Sequence, residues 1–409
     1  MPVACCNPET IMGAAAARAP VMKSGSRRLE ELAVKGLGMR LAIDARNLVH
    51  SRSGISRSIE AAVCALSGMV REIHLCLPDV PHSDFEYLSS LPNVQSHVVH
   101  RPSALGRMWW GTADLPAMLR RIRPSVFWGP AHKLSGAAAG IAPSVLTVHD
   151  LVWKFAPATM RFHRRTGDQF LTARALRHAD QVIAVSDRTA ADLKAVFPGL
   201  RSNITVIPNI VRPLPEPEDV SVLRSAGIGD AYCLFVGTIE PRKNLARTIR
   251  AYLALRQEIR QQLQFVIAGG LGWKNSEVQE LLRNRESGVV FLGGVSEQRL
   301  ATLYTHTCLA VMPSLYEGFG YPAIEAKQFG KLLLTSRNSP MADIAGPGTV
   351  LADPLDEASI TAAFEQCLQD SGQTCPQPLR THAAQFQADV VAPALLQAFE
   401  AAIVTRQHA

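Results

Sequence analysis

Two glutamates flank a glycine turn in the stretch PSLYEGFGYPAIEA, residues 313–326. Glu317 and Glu325 have seven residues between them, and the turn lies where an apolar run gives way to a helical pattern. The glycines allow a ligand to approach the backbone amides closely, and Pro322 suits the first turn of the helix that follows. In that first turn Glu325 can accept hydrogen bonds from two ribose hydroxyls, while Glu317 on the loop can hold hydroxyls of a sugar. Two carboxylates at different depths fit the two ends of a nucleotide sugar if positive charge lies between them, whereas a capping or helix-dipole interaction would explain either carboxylate alone.

A second block, FVGTIEPRKNLARTI at residues 235–249, places positive charge after an apolar strand. Gly237 ends the strand, and Arg242 and Lys243 stand where the next helix begins. A helix N-terminus attracts anions through its unpaired amide groups and its dipole. Two added cations therefore predict a diphosphate site, and the alternative is a solvated basic helix start.

Short apolar runs alternate with amphipathic patterns along most of the chain, which predicts parallel sheets covered by helices. The 409 residues exceed what one hydrophobic core usually serves. A second series of strands starts after the proline-rich acidic segment RPLPEPEDVS, residues 212–221, which is typical of an interdomain linker. We predict an α/β fold of two facing Rossmann-like domains, residues 39–213 and 214–385. Ligands are expected in the cleft between them, beyond the carboxyl ends of the strands.

The first 38 residues differ from the rest of the chain. They lack the apolar core of a secretory signal, and Met39 opens a strand-like run. We interpret residues 1–38 as a disordered or non-native extension, with an organelle transit peptide as the alternative.

Composition argues against several protein classes. No window approaches eighteen consecutive apolar residues, so no membrane-spanning helix is predicted. The eight cysteines are scattered without a C-x-x-C pair, which predicts buried free thiols in the reducing cytoplasm. The sequence has no complete G-x-G-x-x-G fingerprint, no lysine-bearing P-loop and no D-x-D pair. It also has no recognisable nucleic-acid-binding motif, so nucleic acid is not expected as a partner.

Taken together, these blocks resemble the retaining glycosyltransferases of family 4, which have the GT-B fold. The resemblance spans nearly all of residues 39–400 and also includes RSGISRSIEAAV, LTVHDLVWKFAP, RHADQVIAVSDRTAADL, VIPNIV and TSRNSPMADIAGPG. It implies that Glu317 and Glu325 are the paired glutamates of the family's E-seven-E motif, and that Arg242 and Lys243 are its diphosphate clamp. Many members place an arginine directly after the strand-ending glycine. Thr238 stands there in this chain, and Arg242 takes its part, as in the branch that reads E-P-R-K-N.

The resemblance also assigns residues outside these two blocks. His149 corresponds to the histidine that approaches the donor sugar from the N-terminal domain, and Gly54 to the glycine loop near the phosphate and the acceptor, with Arg57 a weaker candidate. The expected catalytic residues are His149, Arg242, Lys243 and Glu317, and the expected donor-binding residues are Gly54, Gly237, Leu292, Gly318, Phe319, Gly320 and Glu325. Asp150, Ser186 and Asn209 are expected to fix loops. The family's last helix, here residues 386–409, is expected to pack back on the N-terminal domain.

The activity that the resemblance implies is sugar transfer from a nucleoside diphosphate to a glycan with retained anomeric configuration. The E-P-R-K-N branch favours mannose from GDP-mannose in bacterial polysaccharide biosynthesis. A lipid-linked oligosaccharide acceptor is expected from the two tryptophans beside a basic amphipathic stretch at residues 105–123. A UDP- or dTDP-sugar donor, a nucleotide-sugar 2-epimerase and a non-catalytic scaffold remain alternatives. No cofactor and no metal are expected, because Arg242 and Lys243 can meet the charge of the diphosphate.

Charge is unevenly distributed between the predicted domains. Residues 39–213 carry 21 Lys and Arg against 12 Asp and Glu, whereas residues 214–409 carry 16 against 20. In the basic half, Trp109 and Trp110 lie within a basic amphipathic stretch at residues 105–123, and RFHRR follows at 161–165. This pattern favours peripheral association with the anionic inner face of the cytoplasmic membrane. A solvated basic face with the tryptophans partly in the core is the alternative.

Overall fold

The computed structural model describes residues 38–408, apart from residues 102–105, 107–108, 201, 274, 285–286 and 373. The predicted extension, up to residue 37, lies outside the described residues. The chain divides into two compact units. Among the described residues, the C-terminal unit runs from Pro213 to Gln385, and the N-terminal unit joins residues 38–212 with the segment from Phe386 onward.

The N-terminal unit is built on a parallel sheet with the strand order β3-β2-β1-β4-β5-β6-β7 in its described residues. The strands are β1 (Arg40–Asp44), β2 (Glu72–Leu77), β3 (Val94–Val98), β4 (Val126–Gly129), β5 (Ser144–Val148), β6 (Gln181–Ala184) and β7 (Asn203–Val206). All but β3 coincide with predicted apolar runs. The sequence of β3, VQSHV, has three polar residues between two valines, and β3 is an edge strand that pairs with β2.

Helices flank this sheet between the strands. They are α1 (Gly54–Leu66), α2 (Leu115–Ile122), α3 (Gly136–Ala139), α4 (Val152–Phe155), α5 (Phe162–Leu176) and α6 (Asp187–Val196). Helix α1 starts with a capping box, in which the Ser53 hydroxyl accepts from the Ser56 amide and Ser56 accepts from the Ser53 amide. This cap fixes the glycine turn SGIS at the start of the helix.

The C-terminal unit repeats the same topology, with the strand order β10-β9-β8-β11-β12-β13. Its strands are β8 (Tyr232–Val236), β9 (Gln264–Ala268), β10 (Val289–Gly293), β11 (Leu309–Met312), β12 (Leu332–Ser336) and β13 (Thr349–Ala352). Its helices are α7 (Ser221–Ser225), α8 (Leu245–Leu253), α9 (Gln257–Arg260), α10 (Ser276–Leu281), α11 (Glu297–His306), α12 (Tyr321–Gln328), α13 (Pro340–Ala345), α14 (Glu357–Asp370) and α15 (Pro376–Ala384).

Each sheet therefore has one topological switch point. The strand order reverses between β1 and β4 in the N-terminal unit and between β8 and β11 in the C-terminal unit. In open parallel sheets, connections diverge at such a point and leave a crevice beyond the carboxyl ends of the strands. The loops that follow these four strands are consequently the first places to look for ligand-binding residues.

Apolar clusters cover both faces of each sheet. In each unit the side chains of the strands contribute to two separate clusters of buried residues, one on either face. Cys76, Cys233 and Cys367 lie in these clusters as buried free thiols, as the sequence predicts. Burial raises the pKa of the Cys367 thiol to about 12, so this thiol stays protonated at neutral pH.

The last helix, α16 (Ala388–Gln407), belongs to the N-terminal unit. By length and composition alone, the stretch Pro376–Gln407 is long and apolar enough to cross a membrane. The search for uninterrupted apolar residues in the sequence did not find it. Helix α16 nevertheless packs on α1, β5 and β6 and buries Leu396 and Phe399. Near its end, Arg406 pairs with Asp180 at 2.8 Å. These contacts are those of a core helix.

Candidate active site

The loop after β8 begins with a close approach of two backbones. Gly237 has a φ of +147°, and a Cβ at Gly269 would lie 2.0 Å from the Gly237 carbonyl oxygen. Only glycine fits at position 269. The Lys243 side chain lies over Gly237, since a Cβ there would be 3.5 Å from the Lys243 Cε. The strand end and the lysine stem are thereby held together.

A carboxylate from the loop after β11 lies between two cations from the loop after β8. The Glu317 Oε1 accepts from the Lys243 Nζ at 2.5 Å, and the Glu317 Oε2 accepts from the Arg242 Nη1. Arg242 also donates to the Tyr316 carbonyl oxygen at 3.0 Å, and its own carbonyl accepts from the Leu315 amide at 2.8 Å. The structure thus brings Arg242, Lys243 and Glu317 together at the β8–β11 switch point.

Charge keeps the Glu317 carboxyl ionised in this setting. Burial by itself would raise its pKa, but the charges of Arg242 and Lys243 and the hydrogen bonds that they donate lower the pKa to about 2. Glu317 is therefore ionised at neutral pH and forms a cation–carboxylate–cation cluster with Arg242 and Lys243.

Two further residues hold the cation loop, and sequence reasoning gave neither a role. The Glu240 Oε1 accepts from the Arg242 Nη2 at 2.6 Å, so Arg242 is held by carboxylates on both sides. Asn244 adopts the left-handed conformation, which asparagine tolerates. Its Nδ2 donates to the carbonyl oxygens of Pro313 and Pro354, at 2.9 and 2.7 Å. The E-P-R-K-N block contains both residues, but their partners lie far away in sequence.

The glycine loop after β11 ends in a turn that only glycine can make. Gly320 caps α12 with a φ of +90°, and a Cβ there would lie 2.4 Å from the Met341 side chain. Gly318 and Phe319 are buried in this loop, and the Phe319 ring contacts Tyr321 edge-on at 5.4 Å. The loop is therefore rigidly placed at the N-terminus of α12.

Glu325 lies deeper than the sequence suggested. Helix α12 begins at Tyr321, so Glu325 is in its second turn, not its first. The carboxyl group is fully buried, and its Oε2 accepts from the Tyr304 hydroxyl at 3.1 Å. The first-turn prediction was wrong because the helix begins at Tyr321, one residue before Pro322, which makes Glu325 its fifth residue. Lys327, two residues on, donates to the Gly348 carbonyl oxygen at 2.7 Å and ties α12 to the strand β13.

Leu292 lies on β10, the edge strand of the C-terminal sheet that pairs with β9. It is partly buried on β10 and packs against the cluster that contains Val266 and Met312. Its predicted contact with the donor base stays a prediction.

His149 follows β5 in the N-terminal unit. Its Nε2 donates to the Pro130 carbonyl oxygen at 2.7 Å, and its ring meets His132 edge-on at 5.4 Å. Burial, followed by the His132 ring, lowers the pKa of His149 well below its usual value. A neutral imidazole that donates from Nε2 keeps Nδ1 as a hydrogen-bond acceptor.

The remaining residues that the sequence singled out in the N-terminal unit lie at helix starts and in loops. Gly54 is the exposed first residue of α1, and Arg57 lies one turn later. Ser186 caps α6 by accepting from the Thr189 amide at 3.1 Å. The Asp150 Oδ1 accepts from the Val152 amide at 3.2 Å, and the Asn209 Oδ1 accepts from the Ser58 hydroxyl at 2.8 Å. The approach of His149 and Gly54 to the donor stays a prediction.

Comparison with known proteins agrees with this geometry. The family model described as "Glycosyl transferases group 1" matches residues 225–385, and "Glycosyltransferase Family 4" matches residues 52–213. The crystal structure of Anabaena Alr3699/HepE in complex with UDP-glucose superposes with a TM-score of 0.69 at 18% identity. That match covers 88% of this chain and 99% of the other. At that identity, the likeness shows the fold.

Two curated relatives are mannosyltransferases of Escherichia coli. O-antigen chain mannosyltransferase B is 29% identical over 266 residues, which cover 62% of this chain and 67% of the relative. Serotype-specific mannosyltransferase WbdA is 32% identical over 147 residues, which cover 34% of this chain and 18% of the relative. The chain therefore spans about two thirds of the first and less than a fifth of the second.

Two doubly wound sheets with a cation–carboxylate cluster at a switch point define a glycosyltransferase of the GT-B fold. The chain belongs to glycosyltransferase family 4, and both the predicted family and the predicted fold class are confirmed.

Proposed function

We propose that the protein transfers a hexose from a nucleoside diphosphate to a glycan acceptor with retained configuration, and that mannose from GDP-mannose is the first donor to test. The observation that carries this proposal is the Arg242–Glu317–Lys243 cluster at the β8–β11 switch point. The similarity to two mannosyltransferases of Escherichia coli, one of them an O-antigen chain mannosyltransferase, supports mannose and a role in polysaccharide biosynthesis.

The chemical step must stabilise a departing diphosphate. The bond between the sugar C1 and the phosphate oxygen breaks, the acceptor oxygen bonds to C1, and the acceptor proton passes to the leaving phosphate. Arg242 and Lys243 face the negative charge that develops, and preorganised charge of this kind is usually the largest catalytic contribution. We propose that these two cations do the work that a divalent metal does elsewhere, so that transfer proceeds without one.

Glu317 has two tasks in this scheme. It holds Arg242 and Lys243 in place before the donor arrives, and its remaining lone pairs accept hydrogen bonds from sugar hydroxyls. Glu325 is buried one helical turn below the loop and is proposed to accept from the ribose. The sugar and the nucleoside are then bound on either side of the diphosphate.

Nucleotide binding gives the first test. The full-length protein is heated with GDP, UDP, dTDP, ADP or NAD, and we expect the largest rise in melting temperature with GDP. A ligand at a hundred times its Kd stabilises by about 2.7 kcal/mol, and each kcal/mol corresponds to about 2–4 °C for units of this size. GDP-mannose turnover is then followed with and without EDTA.

The outcomes separate the alternatives. A shift with UDP or dTDP alone would replace the proposed donor, and a shift with none of the five nucleotides would contradict the proposed function. We expect mannose to be released or transferred from GDP-mannose at equal rates with and without EDTA. Conversion of GDP-mannose to an epimer would identify a 2-epimerase.

We also propose peripheral binding to an anionic membrane, through a surface of the N-terminal unit. Trp110 is 1% exposed and belongs to the core, whereas Trp109 is 64% exposed. Phe162 and Phe170 on α5 are 77% and 65% exposed, and the same helix carries the exposed Arg164 and Arg165. Exposed aromatic rings beside basic residues suit a membrane interface.

Liposome sedimentation tests this surface. The wild type is expected to bind anionic liposomes at low salt, to bind zwitterionic liposomes weakly, and to release as salt rises. Replacing both Phe162 and Phe170 with serine is expected to reduce binding at least about fivefold. Val404→Ser, which changes an exposed apolar residue of α16 in the same unit, is the matched control. Equal binding by the double variant and the control would contradict the assignment.

A further inference from the structure

The second switch point, between β1 and β4, also carries charged side chains on its loops. Arg46 follows β1, and its guanidinium forks onto Asp44, the last residue of that strand. The Nε lies 2.9 and 3.0 Å from the two carboxylate oxygens, and the Nη2 lies 2.5 Å from Oδ2. Asp44 is almost fully buried, whereas the Arg46 side chain is 26% exposed. The carboxylate therefore fixes an arginine whose outer edge remains open.

The loop after β4 is shaped to present Lys133. A Cβ at Gly129 would lie 2.6 Å from the Lys133 carbonyl oxygen, so the strand must end in glycine for the loop to fold back. His132 adopts the left-handed conformation with a φ of +56°, and its amide donates to the Thr147 carbonyl oxygen at 3.0 Å. A non-glycine residue in that conformation marks a loop held in one shape by its surroundings.

Lys133 itself is a partly buried cation. Within the residues that the structure describes, its Nζ has neither a hydrogen-bond acceptor nor an ion-pair partner. Burial lowers the pKa of the Lys133 ammonium. The charges of Arg46 and Arg164 lower this pKa further, and those of Asp168 and Asp44 oppose them. A cation that loses water without gaining an acceptor is destabilised, and an anionic ligand would restore its hydrogen bonds.

Arg46 has unused donors in the same place. Its Nε and Nη2 are directed at Asp44, and its Nη1 donates no hydrogen bond to any described residue. A Cβ at Gly111 would lie 3.9 Å from the Arg46 Nη2, so the segment around Gly111 lies against this arginine. Lys133 and Arg46 thus offer ammonium and guanidinium donors from the two strands that flank the switch point.

The site in the C-terminal unit supports this interpretation by its construction. There the loops after β8 and β11, the first and fourth strands of that sheet, supply the cations and the carboxylate. Here Arg46 and Lys133, which follow β1 and β4, supply the cations, and Asp44 at the end of β1 supplies the carboxylate. His149 follows the neighbouring β5. Both sheets therefore place ligand-competent groups where their topology opens a crevice.

We propose that Lys133 and Arg46 bind a phosphoryl or carboxylate group of the glycosyl acceptor at the β1–β4 switch point. This assignment rests on the proposed function, because it takes the bound molecule to be the acceptor. The anion is either a phosphate of a lipid carrier or the carboxylate of an acidic sugar.

Chemical footprinting of lysines tests the site on the full-length protein. With GDP present, lysines are acetylated by limiting acetic anhydride in phosphate or in chloride of equal ionic strength, and peptide mass spectrometry reads each site. We expect phosphate to reduce acetylation of Lys133 at least about threefold. Lys194, an exposed lysine of α6 in the same unit, should be acetylated equally in both. Equal labelling of Lys133 in both salts, or none in either, would overturn the proposal.

Further arms identify the source of the anion. Decyl phosphate, below its micellar concentration, represents a lipid phosphate, and methyl glucuronide represents an acidic sugar, with neutral methyl glucoside as the control. Protection of Lys133 by methyl glucoside as strong as by the anions would overturn the anion assignment. With GDP at saturation, so that the proposed diphosphate clamp is occupied, calorimetric titration with inorganic phosphate should lose its signal in Lys133→Met and keep it in Lys194→Met.

A matched acetylation in chloride without GDP keeps this inference separate from the proposed function. GDP is expected to protect Lys243 from acetylation, because the proposed diphosphate clamp contains that lysine. If Lys243 is unprotected while phosphate protects Lys133, the donor proposal fails and the anion site stands. If GDP protects Lys243 and no anion protects Lys133, the donor proposal stands and the anion site fails.

Discussion

Replacing Lys243 with methionine is expected to lower kcat/KM for the nucleotide-sugar donor by at least about a hundredfold. The methionine keeps the apolar stem over Gly237 and removes only the charge. A cation about 4 Å from a unit negative charge is worth roughly 4 kcal/mol at an effective dielectric near 20. A hundredfold loss corresponds to about 2.7 kcal/mol. This loss is smaller than the full interaction energy because Arg242 partly compensates for the missing ammonium group.

The loss should extend to nucleotide binding. Lys243→Met is expected to weaken GDP binding at least about tenfold in calorimetric titration, because the ground-state diphosphate already carries the charge that Lys243 faces. Arg224→Met, which changes an exposed arginine of the same unit, is the matched control. Release of nucleoside diphosphate from the donor gives the rate. A variant that turns over at nearly the wild-type rate would remove Lys243 from the site.

The strands and their loops could be predicted because buried parallel strands read as short apolar runs. The β8 run YCLFVG and the β11 run LAVMPS each end at a loop with charged residues, so the switch-point site could be located before the structure was known. The edge strand β3 was not predicted, because it is not a short apolar run. Its three central residues, Gln95, Ser96 and His97, are polar, so its sequence shows no apolar run.

Contacts between loops could not be predicted in the same way. Asn244 joins the ends of β11 and β13 through Pro313 and Pro354, which are 69 and 110 residues away. Lys133 and Arg46 come together only because β4 pairs with β1, a pairing that a linear pattern does not encode. Local propensity gives the elements, whereas tertiary pairing decides which loops meet.

The pair of Glu317 and Glu325 shows both what motif spacing can predict and what it cannot. The spacing located Glu317 beside the cations, but nothing in it indicated that both carboxylate oxygens would be engaged by Arg242 and Lys243. Likewise, the proline at position 322 correctly indicated the helix start, yet Glu325 fell one turn deeper and met Tyr304. Motif spacing therefore identified the residues, and the structure assigned their partners.

Replacing Glu317 with glutamine is expected to separate turnover from nucleotide binding. We expect kcat to fall at least about a hundredfold, because Arg242 and Lys243 lose the carboxylate that positions them. GDP affinity should stay equal or increase, because the two cations no longer have an internal counter-ion. This direction is opposite to the effect expected for Lys243→Met, and calorimetric titration of GDP measures it.

The same substitution should change how stability depends on pH. The folded pKa of Glu317 is about 2, below the ordinary value of 4.5. The carboxylate therefore contributes stability that is fully present above about pH 4.5 and is lost as the pH falls toward 2. Urea unfolding of Glu317→Gln should show a lower free energy at pH 7, by a few kcal/mol on the order of a broken buried ion pair, and a shallower decline into acid.

Glu365→Gln is the matched control for both measurements, since it removes a half-exposed carboxylate that only approaches Arg256 at 3.6 Å. It should leave turnover, GDP affinity and the acid decline unchanged. If Glu317→Gln loses GDP binding together with turnover, the carboxylate is needed only to hold the loop, and the prediction that GDP affinity survives the loss of the internal counter-ion is wrong. Retained or tighter GDP binding with lost turnover places Glu317 in the positioning of the clamp and the sugar.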